Sequence, residues 1–166
     1  MANVINTVVG GASSNSYATL AEAETYLAAK IVNTDWNSLK DEDKNGLLIS
    51  AARQLDLLCW QGSVVDSTQA LQWPRYGMVN SHGWPVLPTE IPTALKSAQI
   101  ELAYSLALGN YLLEPETSAT EFSRVSIGDL DVTYRDVAVT ATSLPKIINK
   151  LLTPFLASAG NRVVRA

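Results

Sequence analysis

Apolar side chains recur at three- and four-residue steps in four stretches of this chain and at two-residue steps in one, so the pattern predicts four helices and a β-hairpin. In Thr19-Leu20-Ala21-Glu22 the Thr and the Glu three residues on can each satisfy a free backbone N–H, which starts a first helix over 19–30 with Leu20, Ala23, Leu27 and Ile31 on one side. Ser38 offers an N-cap, and Asp41, Glu42 and Asp43 follow where the helix dipole favours negative charge. A second helix is therefore predicted over 39–60, with Leu47, Ala51, Leu55, Leu58 and Cys59 as its stripe and Gly62 as its stop. Asn45-Gly46 weakens it, since Gly costs about 1 kcal/mol against Ala in a helix interior. Ile91-Pro92 opens a third helix whose residues 94–113 are apolar on nearly every face, as in a helix central to the domain or shared with a neighbouring subunit. Ser143-Leu144-Pro145 opens the last, with Leu144, Ile148, Leu151, Leu152 and Phe155 along one side.

Residues 122–135 switch to a period of two. With Gly128-Asp129 as the two-residue turn, Ile127 faces Leu130 and Val125 faces Val132, and Tyr134 extends the same apolar face. Arg124, Ser126, Asp131 and Thr133 occupy the other face. A lone two-stranded hairpin is marginal in water, so helices or another chain must cover it. Residues 62–91 have three prolines and no helical period, yet they carry Leu71, Trp73, Tyr76, Met78, Trp84, Val86 and Leu87. Such a loop either covers the helical core or also contacts a partner. The fold class is thus mainly α: a small bundle of about four helices with one β-hairpin and a long aromatic-rich loop. Residues 1–16 read as a polar, flexible arm, 17–157 as a single domain with the hairpin at about 122–135, and 158–166 as a basic tail.

Composition narrows the functional classes. A chain of 166 residues suits one domain with a sizeable core, and 47% hydrophobic against 17% charged residues is too apolar for a disordered chain. The net charge of −4 argues against a protein whose main task is to grip nucleic acid phosphates. One cysteine leaves no intramolecular disulfide and no Cys-based zinc site. Residues 1–16 lack the basic start of a secretory signal, and the charge-free run 102–113 is too short to cross ~30 Å of hydrocarbon, so no membrane partner is expected.

The charge is unevenly spread. After Asp136 no acidic residue occurs, so Lys146, Lys150, Arg162 and Arg165 make the end of the chain +4 and leave −8 for the rest. Such an end can meet a nucleic acid backbone, an acidic protein surface, or only solvent.

Catalytic groups are sparse. His82, in Asn80-Ser81-His82-Gly83, reads as a surface-loop residue, and Cys59 as a buried small hydrophobe. Gly128-Asp129-Leu130-Asp131 lacks the further oxygen ligands of a calcium loop, and Gly10-Gly11 matches no phosphate-binding fingerprint. The expectation is a non-enzyme with no catalytic residue, metal or cofactor.

The ordered motifs carry a resemblance. Asn15-Ser16-Tyr17 precedes Thr19-Leu20-Ala21-Glu22-Ala23 and Tyr26, and Ala51-Ala52-Arg53-Gln54-Leu55-Asp56 follows. Gln69-Ala70-Leu71-Gln72-Trp73-Pro74-Arg75 comes next, then Glu90-Ile91-Pro92 with Lys96, Ala98 and Glu101-Leu102-Ala103, the 125–134 hairpin and Leu151-Leu152. Over residues 6–157 this set resembles small proteins of tailed bacteriophages that carry the label DnaT-like single-stranded-DNA-binding proteins, and similar chains serve as head–tail connector, adaptor or head-completion subunits. Trp-Pro-Arg after Gln-Ala-Leu is its most specific element.

The connector resemblance implies a structural virion protein in the neck at the head–tail interface. It implies a ring of this chain, commonly of twelve copies, bound to the portal protein and presenting a platform to a tail, tail-terminator or collar protein. DNA would pass through the channel without specific binding. Lys146, Lys150, Phe155, Arg162 and Arg165 would then face the portal, while Trp73, Pro74, Arg75, Tyr76 and Trp84, with Val125, Ile127, Leu130 and Val132, would serve subunit contacts or loop packing. The alternative is a single-stranded-DNA-binding replication protein, which requires a positive groove with aromatic platforms. The aromatic loop has only Arg75 against Asp66 and Glu90, so Trp73, Tyr76 and Trp84 are expected to be packing anchors rather than base platforms.

Overall fold

A computed structural model describes residues 3–30, 33–109, 125–127, 130–132 and 144–157. In chain order its elements are α1 (Leu20–Ala28), α2 (Thr34–Ser38), α3 (Asp41–Asp56), β1 (Ser63–Val64), β2 (Arg75–Tyr76), α4 (Thr93–Ala107), β3 (Val125–Ile127), β4 (Leu130–Val132) and α5 (Lys146–Leu152). The fold is mainly helical with a small antiparallel hairpin, as expected. The five helices and the β1–β2 pair form one compact unit, and β3–β4 belong to a second.

The capping box forms as read from sequence. The Thr19 hydroxyl accepts from the Glu22 N–H at 3.2 Å, and the Glu22 carboxylate accepts from the Thr19 N–H at 2.8 Å. Ala23 and Leu27 are the buried residues of α1; Ile31 lies outside the described residues.

The second predicted helix requires correction. Ser38 does not cap it: a five-residue helix, α2, ends at Ser38, whose hydroxyl turns back to the Asp35 carbonyl at 2.8 Å. This short helix places Trp36 in the core. The long helix α3 is capped at Lys40, with Asp41, Glu42 and Asp43 in the first turn, and it ends at Asp56 rather than Trp60. Its buried stripe is Leu48, Ala51, Ala52 and Leu55. Because helical phase is lost after Leu57, Cys59 leaves the stripe, and it is exposed rather than buried.

Helix α4 is the central element, packing against α1, α2, α3 and α5. Leu95, Ala98, Ile100, Leu102, Ala103 and Leu106 are buried, which accounts for its nearly all-round apolar sequence without a neighbouring subunit. Each fully buried Leu contributes roughly 2 kcal/mol relative to exposure. The helix stops at Ala107, before Gly109 with φ of 80°; the predicted 110–113 lie outside the described residues. No helix among the described residues is long and apolar enough to cross a membrane.

Helix α5 is N-capped at Pro145 and buries Ile148 and Leu152 against α4; the cap expected at Ser143 lies outside the described residues. A turn then carries Phe155 inward, and Leu156 bridges antiparallel to Trp60, with Gln61 N–H to Phe155 O at 2.9 Å and Ala157 N–H to Cys59 O at 2.8 Å. At the other terminus, the predicted arm 1–16 is, over residues 3–16, bonded to itself and to α3. Asn15 Oδ1 accepts from Asn6 N–H at 2.8 Å, Asn45 Nδ2 donates to Asn3 O at 2.9 Å, and Ser14 and Ser16 are buried.

In the second unit, β3 and β4 pair in the register that a two-residue turn at 128–129 requires: Val125 with Val132, Ser126 with Asp131, Ile127 with Leu130.

Candidate functional site

The most specific motif of the sequence builds a loop. Gln69 Nε2 donates to the carbonyls of Leu71 and Pro74 at 2.7 and 3.2 Å, while its Oε1 accepts from Asp66 N–H at 3.1 Å. Arg75 turns inward and is only 8% exposed. Its Nε donates to Gln61 O at 2.7 Å, Nη2 to Gly62 O at 2.9 Å, and Nη1 to Gln72 O and Oε1 at 3.2 and 3.0 Å. The planar five-donor fork thereby ties both strands of the β1–β2 pair to the preceding turn. Burial lowers the guanidinium's pKa from its ordinary value. Gly62, at φ of 64°, sits where a Cβ would collide with the Tyr76 carbonyl oxygen, so this crossing admits glycine alone.

Trp73 is buried to 1% and packs edge-on against Trp60 (5.6 Å between centroids, 88°) and against Phe155 (5.3 Å, 82°). Three aromatic rings from the segment after α3, the loop and the segment after α5 thus form one cluster. Such edge-to-face pairs add about 0.5–1.5 kcal/mol each beyond burial. Pro74 is buried beside it, after a cis peptide bond.

The same loop is clasped to the N-terminal segment. The Tyr17 hydroxyl donates to one Asp56 carboxylate oxygen, and Gln72 N–H donates to the other at 3.3 Å. Burial, then the adjacent Asp56 charge, pushes the Tyr17 phenol far above its usual range. Burial also raises the Asp56 carboxyl, against the opposing hydrogen bonds from Tyr17 and Gln72. A second clasp was not foreseen from sequence. Gln99, fully buried on α4, accepts from Tyr17 and Ala18 N–H at 3.0 and 2.9 Å and donates to Ser16 Oγ and Leu48 O at 2.7 and 2.8 Å. Its one visible signal was an uncharged polar residue between Ala98 and Ile100 in a largely apolar helix.

The two other loop aromatics are not packing anchors. Tyr76 is 51% exposed and Trp84 70%. Trp84 stands at the tip of a small hairpin in which Val79 bridges Pro85, Asn80 N–H donates to Trp84 O at 2.9 Å and Val86 N–H to Met78 O at 2.9 Å. Asn80 Oδ1 accepts from both His82 and Trp84 N–H at 3.0 Å, and Gly83 takes φ of 83°. Met78, buried to 1%, anchors the base, whereas His82 is exposed as expected. Sequence could not separate Trp73 from Trp84, because both lie in irregular chain with Pro beside them.

The residues expected at a portal do not gather into one site. Lys146 and Lys150 are exposed one helical turn apart on α5. Phe155 requires correction: it is 1% exposed, enclosed by the aromatic cluster, and has no surface to offer. Arg162 and Arg165 lie outside the described residues. Val125, Ile127, Leu130 and Val132 are placed by their strand register alone.

Most other described cations are occupied. Lys30 pairs with the buried Glu101 at 2.6 Å and lies 4.4 Å from the Tyr104 ring centre; Lys44 pairs with Glu24 at 3.0 Å, and Lys96 with Glu22 at 2.7 Å. Burial raises the Glu22 carboxyl, but hydrogen bonds from Lys96 and Thr19 together outweigh it and hold the group below its usual range. Burial and the Glu101 bond push the Tyr26 phenol up to about 12.

The described residues thus combine a helical body, an inward-tied Trp-Pro-Arg loop and a projecting aromatic tip, and no cluster of His, Cys, Asp and Glu among them could hold a metal ion. A family model matches residues 1–166, and the chain belongs to that family, described as "Putative DnaT-like ssDNA binding protein". No curated protein and no solved structure matches the chain.

Proposed function

We propose that this chain is a structural subunit of the bacteriophage neck, assembling as a ring on the portal, extending the DNA channel and offering a platform to the tail. The observation that carries this reading is a pair of exposed aromatics in a loop whose one cationic residue is turned inward. Tyr76 and Trp84 are on the surface, while Arg75, the loop's one arginine, is folded onto its own carbonyls. A protein surface suits such a tip better than a phosphate backbone does, since single-strand affinity draws on cations lining the groove. Lys146 and Lys150, exposed on α5, are the portal-facing groups among the described residues, with Arg162 and Arg165 beyond them in sequence. Exposed pairs contribute only ~0–1 kcal/mol each, and repetition around a ring multiplies them. In this role the protein needs no cofactor and performs no catalysis.

Co-expression with the portal of the phage that encodes it tests the reading. Stoichiometric co-elution, weakened by Lys146→Glu with Lys150→Glu, is the expected result, and failure to co-elute contradicts it.

The second reading, single-stranded-DNA binding, is favoured by the family's description and by the exposure of two stacking-competent rings. It requires salt-sensitive binding of a labelled oligonucleotide that falls when Tyr76 and Trp84 are replaced by Ala.

A further inference from the structure

Residues 59–62 are gripped from two sides. On one side lies the segment after α5, running antiparallel to them: Gln61 N–H donates to Phe155 O at 2.9 Å, Gln61 Nε2 to Leu156 O at 2.7 Å, and Ala157 N–H to Cys59 O at 2.8 Å. On the other side Arg75 donates to Gln61 O at 2.7 Å and to Gly62 O at 2.9 Å. Gln61 therefore spends its N–H and its carboxamide on the C-terminal segment and its carbonyl on the Trp-Pro-Arg loop. The rings repeat this arrangement, since Trp73 of the loop packs edge-on against both Trp60 and Phe155. Phe155 is the one buried residue of 153–157, and its turn is bonded to the end of α5, with Phe155 N–H and Leu156 N–H donating to Leu152 O at 2.8 and 3.1 Å.

We propose that residues 153–157 are a strap that opens and closes together with the Trp-Pro-Arg loop, so that a partner gripping α5 also fixes the shape of residues 62–76. The clause about a partner rests on the connector reading above; the coupling rests on the contacts alone. A strap seated by one ring and three hydrogen bonds to residues 59–61 has little to lose on opening, which places it at the low-stability end of the fold, where sub-global opening occurs. When it leaves, Trp73 loses one of its two ring neighbours and Gln61 loses two bonds. Close-packed clusters change arrangement in steps rather than by small adjustments, so the backbone at 60–62 loses its fixed position as well. The Arg75 fork needs the carbonyls of Gln61, Gly62 and Gln72 in place together, and with them goes the tie that holds β1 to β2. The coupling is reciprocal: whatever loosens the fork loosens the strap by the same factor.

Native-state hydrogen exchange of the full chain, read by NMR, tests this at two amides that do not bond to each other: Ala157 N–H in the strap, and Val65 N–H, which donates to Pro74 O at 3.3 Å beside the β1–β2 pair. In wild type both are expected at one protection level, below that of the core Tyr17 N–H held by Gln99. Gln61→Ala, at an exposed position, removes the side-chain bond to Leu156 O and should speed both amides alike, by about three- to tenfold. Arg75→Lys, which replaces a side chain bonded to no strap residue, should speed both by a common factor of its own. Different protection levels in wild type, or a variant that speeds one amide and leaves the other, overturns the coupling. Saturating amounts of the phage's portal should slow both amides together. Portal that binds and leaves Val65 at its free rate overturns the transmission to the loop, whereas absence of portal binding sinks the connector reading and leaves the two variants to decide the coupling.

Discussion

Replacing Gln99 with Leu removes a side chain that joins α4, α3 and the N-terminal segment at one fully buried point. Leu has nearly the same size, so the change opens little cavity. Ser16 keeps a partner, since its hydroxyl donates to Ala18 O at 2.6 Å, and Leu48 O remains in the helical ladder of α3. The Tyr17 and Ala18 N–H groups lose their shared acceptor and are left in the core. Each orphaned buried donor costs about 1–3 kcal/mol, and the apolar replacement offsets part of the sum, so a net loss of about 2–5 kcal/mol is expected. That is a large share of the ~5–15 kcal/mol typical of a domain. Urea unfolding followed by far-UV circular dichroism reads it as a lower midpoint at unchanged slope. A loss below ~1 kcal/mol would refute the view that this clasp organises the core.

Four further outcomes follow from the same contacts. Arg75→Lys should destabilise by about 2–4 kcal/mol and speed hydrogen exchange across 61–91, since a point charge cannot reach the carbonyls of Gln61, Gly62 and Gln72 together; exchange rates at wild-type level would contradict the staple. Phe155→Ala should cost about 3–5 kcal/mol in the same melts and Lys150→Ala no more than about 0.5, an order that reverses if Phe155 faces a partner. Among the four tryptophans only Trp84 is exposed, so Trp84→Phe should remove most of the acrylamide-quenchable emission. Tyr17 titrates higher folded than unfolded, so its contribution is complete below the unfolded value of about 10 and is lost as pH rises toward the folded one. Stability should therefore fall above pH ~10, and less steeply in Tyr17→Phe, where Tyr26, pushed up to about 12, still contributes in that window; parallel pH profiles would exclude the effect.

Local chemistry carried much of the fold into the sequence. Thr19 and Glu22 cap α1 through bonds that span three residues, and the register of β3–β4 follows from a two-residue turn, so neither needs tertiary information. The apolar run after Pro92 marked α4 as central because few surface helices are apolar all round. What remained hidden depends on where the chain goes next. Ser38 is as good a cap as most, but α2 claims it as a last residue, and the sequence pattern does not weigh a five-residue helix. Cys59 sat on a stripe drawn for a helix that in fact ends at Asp56. The Trp-Pro-Arg motif was recognised as specific, yet its use, an arginine bonded to three carbonyls around a buried tryptophan, depends on strands that pair only once the loop is closed. The exposed tip was hidden for the converse reason: hydrophobicity alone assigned Trp84 to the interior, and only the Asn80 turn shows that it points out.

Electron microscopy of the protein mixed with its phage's portal reads the proposed assembly in a single image. A ring coaxial with the portal, with α5 toward the portal face, is the predicted image. Portal particles without added density, in a preparation that instead coats single-stranded DNA in a salt-sensitive manner, would contradict it.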